Sequence, residues 1–534
     1  MQKDVSLKLL PSEASSTEII RAYTAKAVGK KNTEVTGFYI TQKSIDARGK
    51  QPWINLTVHA FINEPVIDRP VKKIDLQDIS RATHTVIIIG AGPAGLFAAL
   101  KCIELGVKPV ILERGKDVRA RRRDLAVLNK EGIVNEESNY CFGEGGAGTY
   151  SDGKLYTRST KRGDIHRILN ILVQFGADEK ILYESHPHIG TNKLPHIITA
   201  MREQVIASGG EVLFEHKLTD IIVDNGNIRY VIVNNATKMP AEAVILATGH
   251  SAGDIFELLH SKNITVEAKP FALGVRVEHP QALIDGIQYH CSAAPDGCVR
   301  DEHLPPASYS LVEQVNGKGV FSFCMCPGGI IAPAATRQGK LVVNGWSPSK
   351  RNNPYANSGM VVTVEQKDLA GIKGFSISDK KLNSPLALLH FQSWVEENAF
   401  NAGEGKFVAP AQRMVDFCDN KISSSLPPCS YVPGITSAHL NTVLPQFIFQ
   451  SLQQGFKAFG KKMRGYYTNE ANIVATESRT SSPVRIPRDS VTLQHPQIHN
   501  LYPCGEGAGY AGGIVSAAMD GERVAAIIAE KFIP

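Results

Sequence analysis

The chain has 534 residues, long enough for about three domains and a sizeable core. A net charge of +6 from 58 basic and 52 acidic residues excludes an acidic tail protein and speaks against a dedicated nucleic-acid binder. Glycine is slightly high, 46 of 534, and much of the excess falls in three short windows.

Residues 1–80 read as a small α+β unit. A strand-like VSLKLL is followed by TEIIRAYTAKAVG, a helix with Ser15, Ser16 or Thr17 as its cap and Gly29 at its end. TGFYITQKSI and WINLTVHAFI, rich in β-branched and aromatic residues, read as two strands. The opening residues lack the apolar core of a signal peptide, and no stretch of about 18 apolar residues occurs, so no membrane span is expected. Nine scattered cysteines do not resemble a disulfide scaffold, and we read a reduced, cytoplasmic protein.

A polar segment, 68–85, leads into alternating strands and helices. The apolar run Thr85–Ile89 precedes Gly90, Gly92, Pro93, Ala94 and Gly95, a G-x-G-x-x-G loop, and a helical segment follows. Here Gly90 permits the tight turn, Gly92 lets backbone approach a diphosphate, and Gly95 lets helix and strand pack closely. The helix N-terminus favours phosphate, and Glu113, at the end of the next strand, can accept from adenosine ribose hydroxyls. Arg114 and one of Arg119–Arg123 either reach the adenosine or diphosphate or form a solvated basic helix face.

A second glycine window spans Gly143–Gly153 and includes Gly145, Gly146, Ala147, Gly148 and Thr149, with Lys154 next to it. So many glycines outside a hairpin suggest backbone lying against a flat ligand. His186, His188 and His196 read as packing or surface histidines. A hairpin at 219–234, turned at Asn225-Gly226, leads to the buried strand Ala243–Leu246 and the turn Ala247-Thr248-Gly249.

Cys324 and Cys326 lie on a strand whose alternation points both thiols to one face. They form either a redox or nucleophilic pair beside a cofactor or two small buried residues. No second C-x-C or histidine pair at ligand spacing accompanies them, so no metal is expected. Arg479 and Arg485, among three hydroxyl side chains, either bind an anionic group of the substrate or cofactor or pair with acids in a crossing loop. The last window holds Gly505, Glu506, Gly512, Gly513 and Ile514 between a short strand and a helix. Glu506 is placed to bond a ribityl chain, with the following helix N-terminus directed at a flavin ring. The three windows total 26 residues and hold 13 of the 46 glycines.

The strings FGEGGAGTYSDGKL, ATGHSAGD, FSFCMCPGG, ESRTSSPVRI and PCGEGAGYAGGI carry a family resemblance. The chain resembles the two-dinucleotide-binding-domain flavoproteins. More closely, it is similar to a group of bacterial FAD-dependent, NAD(FAD)-utilising dehydrogenases, from about residue 80 to the end and more loosely before it. The resemblance implies bound FAD and names no substrate. The expected fold is α/β: a Rossmann-like FAD-binding domain assembled from 81–155, 195–270 and 476–534, an inserted mixed α+β substrate domain at 156–194 and 271–475, and the N-terminal α+β domain. The expected function is a dehydrogenase or reductase passing hydride between flavin and a small organic substrate, with NAD(P)H as a transient donor. A flavin-dependent monooxygenase and a flavoprotein of tRNA modification stand as alternatives.

Overall fold

A computed structural model describes residues 1–534 except 158–162, 292, 295–296, 376–377 and 533–534. In the N-terminal unit, the helix Thr17–Val28 starts where the Ser16 side chain accepts from the Ile19 amide and stops at Gly29, φ +69°. Strands Gln2–Leu9, Trp53–Ile62 and Val35–Asp46 form an antiparallel sheet in that order. Period-two alternation puts Val5, Leu7, Leu9, Ile54, Leu56 and Val58 into the core shared with the large antiparallel sheet below. The connection after Ile62 contains no helix or strand before Thr85. It is tied down where the Lys72 and Ile74 amides donate to Asn170 Oδ1 and Gln174 Oε1, at 2.9 and 2.8 Å.

The nucleotide-binding unit is a five-stranded parallel sheet in the order Leu501–Pro503, Ala243–Leu246, Thr85–Ile89, Lys108–Glu113, Glu211–Phe214. Both faces are covered, so its strands are continuous apolar runs. Strand order reverses at Thr85–Ile89, and the crevice at its carboxyl end is where such sheets bind ligands. The expected hairpin is present as Leu218–Asp224 and Asn227–Val233, with Asn225 and Gly226 at positive φ, and Thr237–Pro240 adds a third strand. Residues 165–189, assigned above to the inserted domain, send Ile168, Leu169, Ile171, Leu172 and Ile181 into the core of the parallel sheet instead. The helix Ile165–Gln174 is strongly one-sided, and that sheet's outer layer offers its apolar face a partner.

The inserted unit is a seven-stranded sheet: Val312–Val315, Lys318–Pro327, Tyr355–Val364, Phe271–Pro280, Asn472–Glu477, Ala409–Arg413, Ile435–Ser437. It is antiparallel apart from its last pair. Among the described residues seven cysteines are free thiols, and Cys291 is disulfide-bonded. No helix among the described residues is long and apolar enough to cross a membrane.

Candidate flavin site and its buried charges

The three glycine windows meet at one cleft of about 340 Å³ at the carboxyl end of the parallel sheet. Its lining includes Gly90, Gly92, Pro93, Ala94 and Glu113 from the first window and Gly146, Ala147 and Gly148 from the second. Ala247, Thr248 and Gly249 join them, with Glu506, Gly512, Gly513 and Ile514 from the last. The helices Pro93–Glu104 and Ile514–Phe532 both begin here, so two positive helix ends border the same space. They pack closely because Gly521 has no Cβ; one there would lie 2.1 Å from the Ala94 carbonyl oxygen.

Each window is held by a buried charge. The Glu113 carboxylate accepts from the amides of Ala91, Gly115 and Gly143, each at 2.9 Å, joining the first window to the second. Arg121 is fully buried and donates to the carbonyls of Asn139, Tyr140 and Glu144 at 2.8, 3.0 and 2.8 Å. Asp520, also fully buried, accepts from the Gly505 amide at 2.8 Å and pairs with Arg488 at 2.6 Å. Sequence reasoning missed Arg488 and Asp520, which stand 17 and 15 residues away from the Gly505 they support. Arg488 lies in a loop and Asp520 opens the polar turn 520–523 of the last helix, so neither stands out locally.

Several expected site residues lie behind the cleft lining. A Cβ on Gly95 would fall 1.9 Å from the Gly90 carbonyl oxygen, and one on Gly145 would strike Thr149 Oγ1 at 2.0 Å. The Thr149 hydroxyl donates to the Glu144 carbonyl at 2.7 Å, and Gly505 backs onto Ala94. Arg114 is held by Glu137 at 2.6 Å and Asp254 at 3.0 Å, with its guanidinium 4.1 Å from the centre of the Phe142 ring. Arg479 lines the cleft while paired to Glu396 at 3.0 Å and Thr336 at 2.7 Å. Arg485 is exposed beside Tyr510 and does not line the cleft.

The two cysteines part company. A register shift between Phe323 and Cys326 breaks the alternation, and Cys324 takes a left-handed φ of +46°. Cys324 therefore lines the cleft, whereas Cys326 is fully buried against Arg276 Nη2 at 3.5 Å. Lys154 also lines the cleft, its ammonium donating to the Met325 carbonyl. The neighbouring Cys326 thiol, then the charges of Lys154 and Arg276, pull the Cys324 thiol down to about 5 against the effect of burial. The same contact and burial push Cys326 up. Iodoacetamide should therefore alkylate Cys324 with a midpoint near pH 5, followed by peptide mass spectrometry. In Cys326→Ala the midpoint should rise by about a unit or more; a wild-type midpoint above about 8 would contradict this assignment.

The residues present fit a bound FAD. A Cβ on Gly249, Gly512 or Gly513 would meet nothing within 4 Å, so these backbones are bare toward the cleft, while Gly90 and Gly95 are bare against protein. The FAD binding domain family matches residues 85–122, and the family described as FAD-dependent protein, C-terminal domain-like, matches 270–480. A domain of unknown function matches residues 1–61. A Clostridium beijerinckii protein is 38% identical over 528 residues, covering 95% of each chain. The chain belongs to the family of FAD-dependent proteins. This FAD-dependent protein is also 28% identical over 182 residues to the thiamine thiazole synthase of Aeropyrum pernix, across 31% of this chain and 55% of that one. Among solved structures, it is similar to a geranylgeranyl bacteriochlorophyll reductase-like protein of Thermoplasma acidophilum. The identity is 12%, the TM-score 0.33, and the coverage 84% of this chain and 79% of that chain. A flavin-dependent brominase gives 12% identity and a TM-score of 0.34, with 84% and 78% covered. The chain is an FAD-binding flavoprotein with a Rossmann-like nucleotide domain.

Proposed function

We propose that the protein is an FAD-dependent dehydrogenase or reductase that moves a hydride between flavin and a small organic substrate, with NAD(P)H as a transient donor. The observation that carries this reading is the polar set in the lining of the cleft. Lys154, Cys324, Asn344, Arg479 and Thr480 line it together with Gly146–Gly148 and Gly512–Ile514. FAD, when bound, supplies the acceptance and return of the hydride.

The chain's own groups then have separable tasks. Arg479, fixed by Glu396, and Lys154, fixed by the Met325 carbonyl, attract and orient an anionic or carbonyl group of the substrate. Cys324 Sγ holds or releases a proton at the cleft surface, tuned by Cys326 and Arg276. The apolar lining from Phe323 and Ile514 limits water.

Anaerobic titration of the purified yellow protein with NADH and NADPH tests this reading. One of the two should bleach the visible flavin band stoichiometrically, and admission of an organic acceptor should restore it. The reading fails if neither nucleotide bleaches the band and dithionite-reduced protein passes electrons only to oxygen.

A further inference from the structure

A second cavity, of about 1190 Å³, is lined in part by Tyr150 of the second glycine window and shares no lining residue with the flavin cleft. Two helices form its walls. Along Val118–Glu131, Arg119, Arg122, Ala126 and Asn129 recur at spacings of three and four, one face of a helix. Along Leu194–Ala207, Pro195, Thr199, Arg202 and Ile206 do the same. Between them stand four half-buried aromatic residues: Tyr140, Tyr150, Phe214 and Trp346.

The aromatic floor is held in place. The Tyr150 hydroxyl donates to the Val118 carbonyl at 2.7 Å, and the Tyr140 hydroxyl accepts from Asn129 Nδ2 at 3.1 Å. Positive charge is concentrated at the walls. Arg119 and Arg122 are exposed, and their guanidinium groups have no hydrogen-bond or acidic partner among the described residues. Arg202 reaches Glu144 at 3.1 Å and sits 5.8 Å from the centre of the Phe214 ring. Of the two carboxylates in the lining, Asp117 is spent on capping its helix, accepting from the amides of Arg119 and Ala120 at 2.8 and 3.2 Å. Glu203 lies 3.9 Å from Arg202.

We propose that this cavity is a second ligand site, for an aromatic organic anion. A fixed floor of rings offers stacking to a flat ligand, and two unpaired guanidinium groups at the wall offer it counter-charge. No acidic partner is left for those arginines among the described residues, so an anion from solution completes the pair. The inference depends on the flavin reading only in that FAD occupies the other cleft.

The probe is 8-anilinonaphthalene-1-sulfonate, an aromatic sulfonate, added to the FAD-loaded protein. The chain has three tryptophans, Trp53, Trp346 and Trp394, of which Trp346 alone lines this cavity. Binding should be saturable, with energy transfer from tryptophan to probe that Trp346→Phe removes. The double change Arg119→Glu/Arg122→Glu should weaken it at least about tenfold, by loss of two charge partners. Flavin absorbance and melting temperature should match wild type, which separates this test from the flavin assignment. Displacement by ATP identifies a phosphate-bearing ligand, and displacement by salicylate a carboxylate. The proposal is overturned if transfer survives Trp346→Phe, if the arginine variant binds the probe as wild type does, or if neither competitor displaces it.

Discussion

Gly92→Val should strip FAD from a protein that remains folded, whereas Gly95→Ala should damage the fold itself. The two glycines are three residues apart in one motif, yet their surroundings differ. Gly92 has φ −75°, which valine adopts freely, and a Cβ there would approach nothing nearer than Gly146 Cα at 3.9 Å. The added methyls would instead occupy the mouth of the cleft, between the N-terminus of the helix Pro93–Glu104 and the second glycine window. Diphosphate must pass close to that backbone, so FAD affinity should fall at least about a hundredfold, with little change in melting temperature. At Gly95 a Cβ would lie 1.9 Å from the Gly90 carbonyl oxygen and 3.2 Å from Ile88 Cγ2. The helix would have to move off its strand, at a cost of about 3 kcal/mol. Glu506→Ala, removing a carboxylate from the cleft lining without crowding it, should weaken FAD retention about tenfold. The ratio of visible flavin absorbance to protein absorbance after purification, read beside a thermal melt, separates the three outcomes. A Gly92→Val protein as yellow as wild type would remove the first window from the flavin site.

Arg276→Met should be the most damaging single change in the inserted unit, and Glu477→Gln should partly reverse it. Arg276 is fully buried, and its guanidinium serves four neighbouring segments. It pairs with Glu477 at 3.0 Å and donates to Asn357 Oδ1 at 2.8 Å, the Cys324 carbonyl at 2.7 Å and Asn344 Oδ1 at 3.4 Å. Space is made for it by Gly345, where a Cβ would stand 2.1 Å from Arg276 Nη2. Removing the arginine leaves Glu477 and the Cys324 carbonyl without their partner in a dry interior, at a cost of about 3–5 kcal/mol. In the double variant the buried charge is gone, so at least about 1 kcal/mol should return, as measured by denaturant unfolding.

The pH dependence of wild type carries a second sign of the same group. Burial pushes the Glu477 carboxyl up to about 7, against the opposing pull of Arg276. The folded chain then holds a proton that the unfolded chain releases above about 4.5. Between those values the native state binds more protons, so this group's contribution to stability falls as pH rises and is lost by about pH 7. Unfolding midpoints of wild type should decline from pH 5 to pH 8 relative to those of Glu477→Gln. Parallel profiles would show that Glu477 does not titrate in this window.

Much of the site could be read from the chain because its signals are local. A tight turn, a close approach to phosphate and a helix start each require particular residues within a few positions, and Gly90, Gly92 and Pro93 supply them. The cap at Ser16, the stop at Gly29 and the turn at Asn225-Gly226 are of the same kind. Cys324 shows where this ends. Its strand suggested two thiols on one face, but a bulge, set by pairing with Tyr355–Val364, turned one thiol to the cleft and buried the other.

What the sequence by itself determined is the parallel nucleotide-binding sheet, the N-terminal β-α-β-β unit and three glycine-rich segments made for close approach of a ligand. Backbone conformation and the spacing of apolar residues are properties of neighbours along the chain, so a reader of the chain can see them. Only the tertiary structure decided that Gly145, Thr149 and Gly505 serve packing rather than the cleft surface. It alone placed residues 165–189 against the parallel sheet and made Arg121, Asp520 and Arg276 the buried charges that hold distant segments together. A buried charge is stable only where its partners converge, and those partners lie up to 201 residues away along the chain.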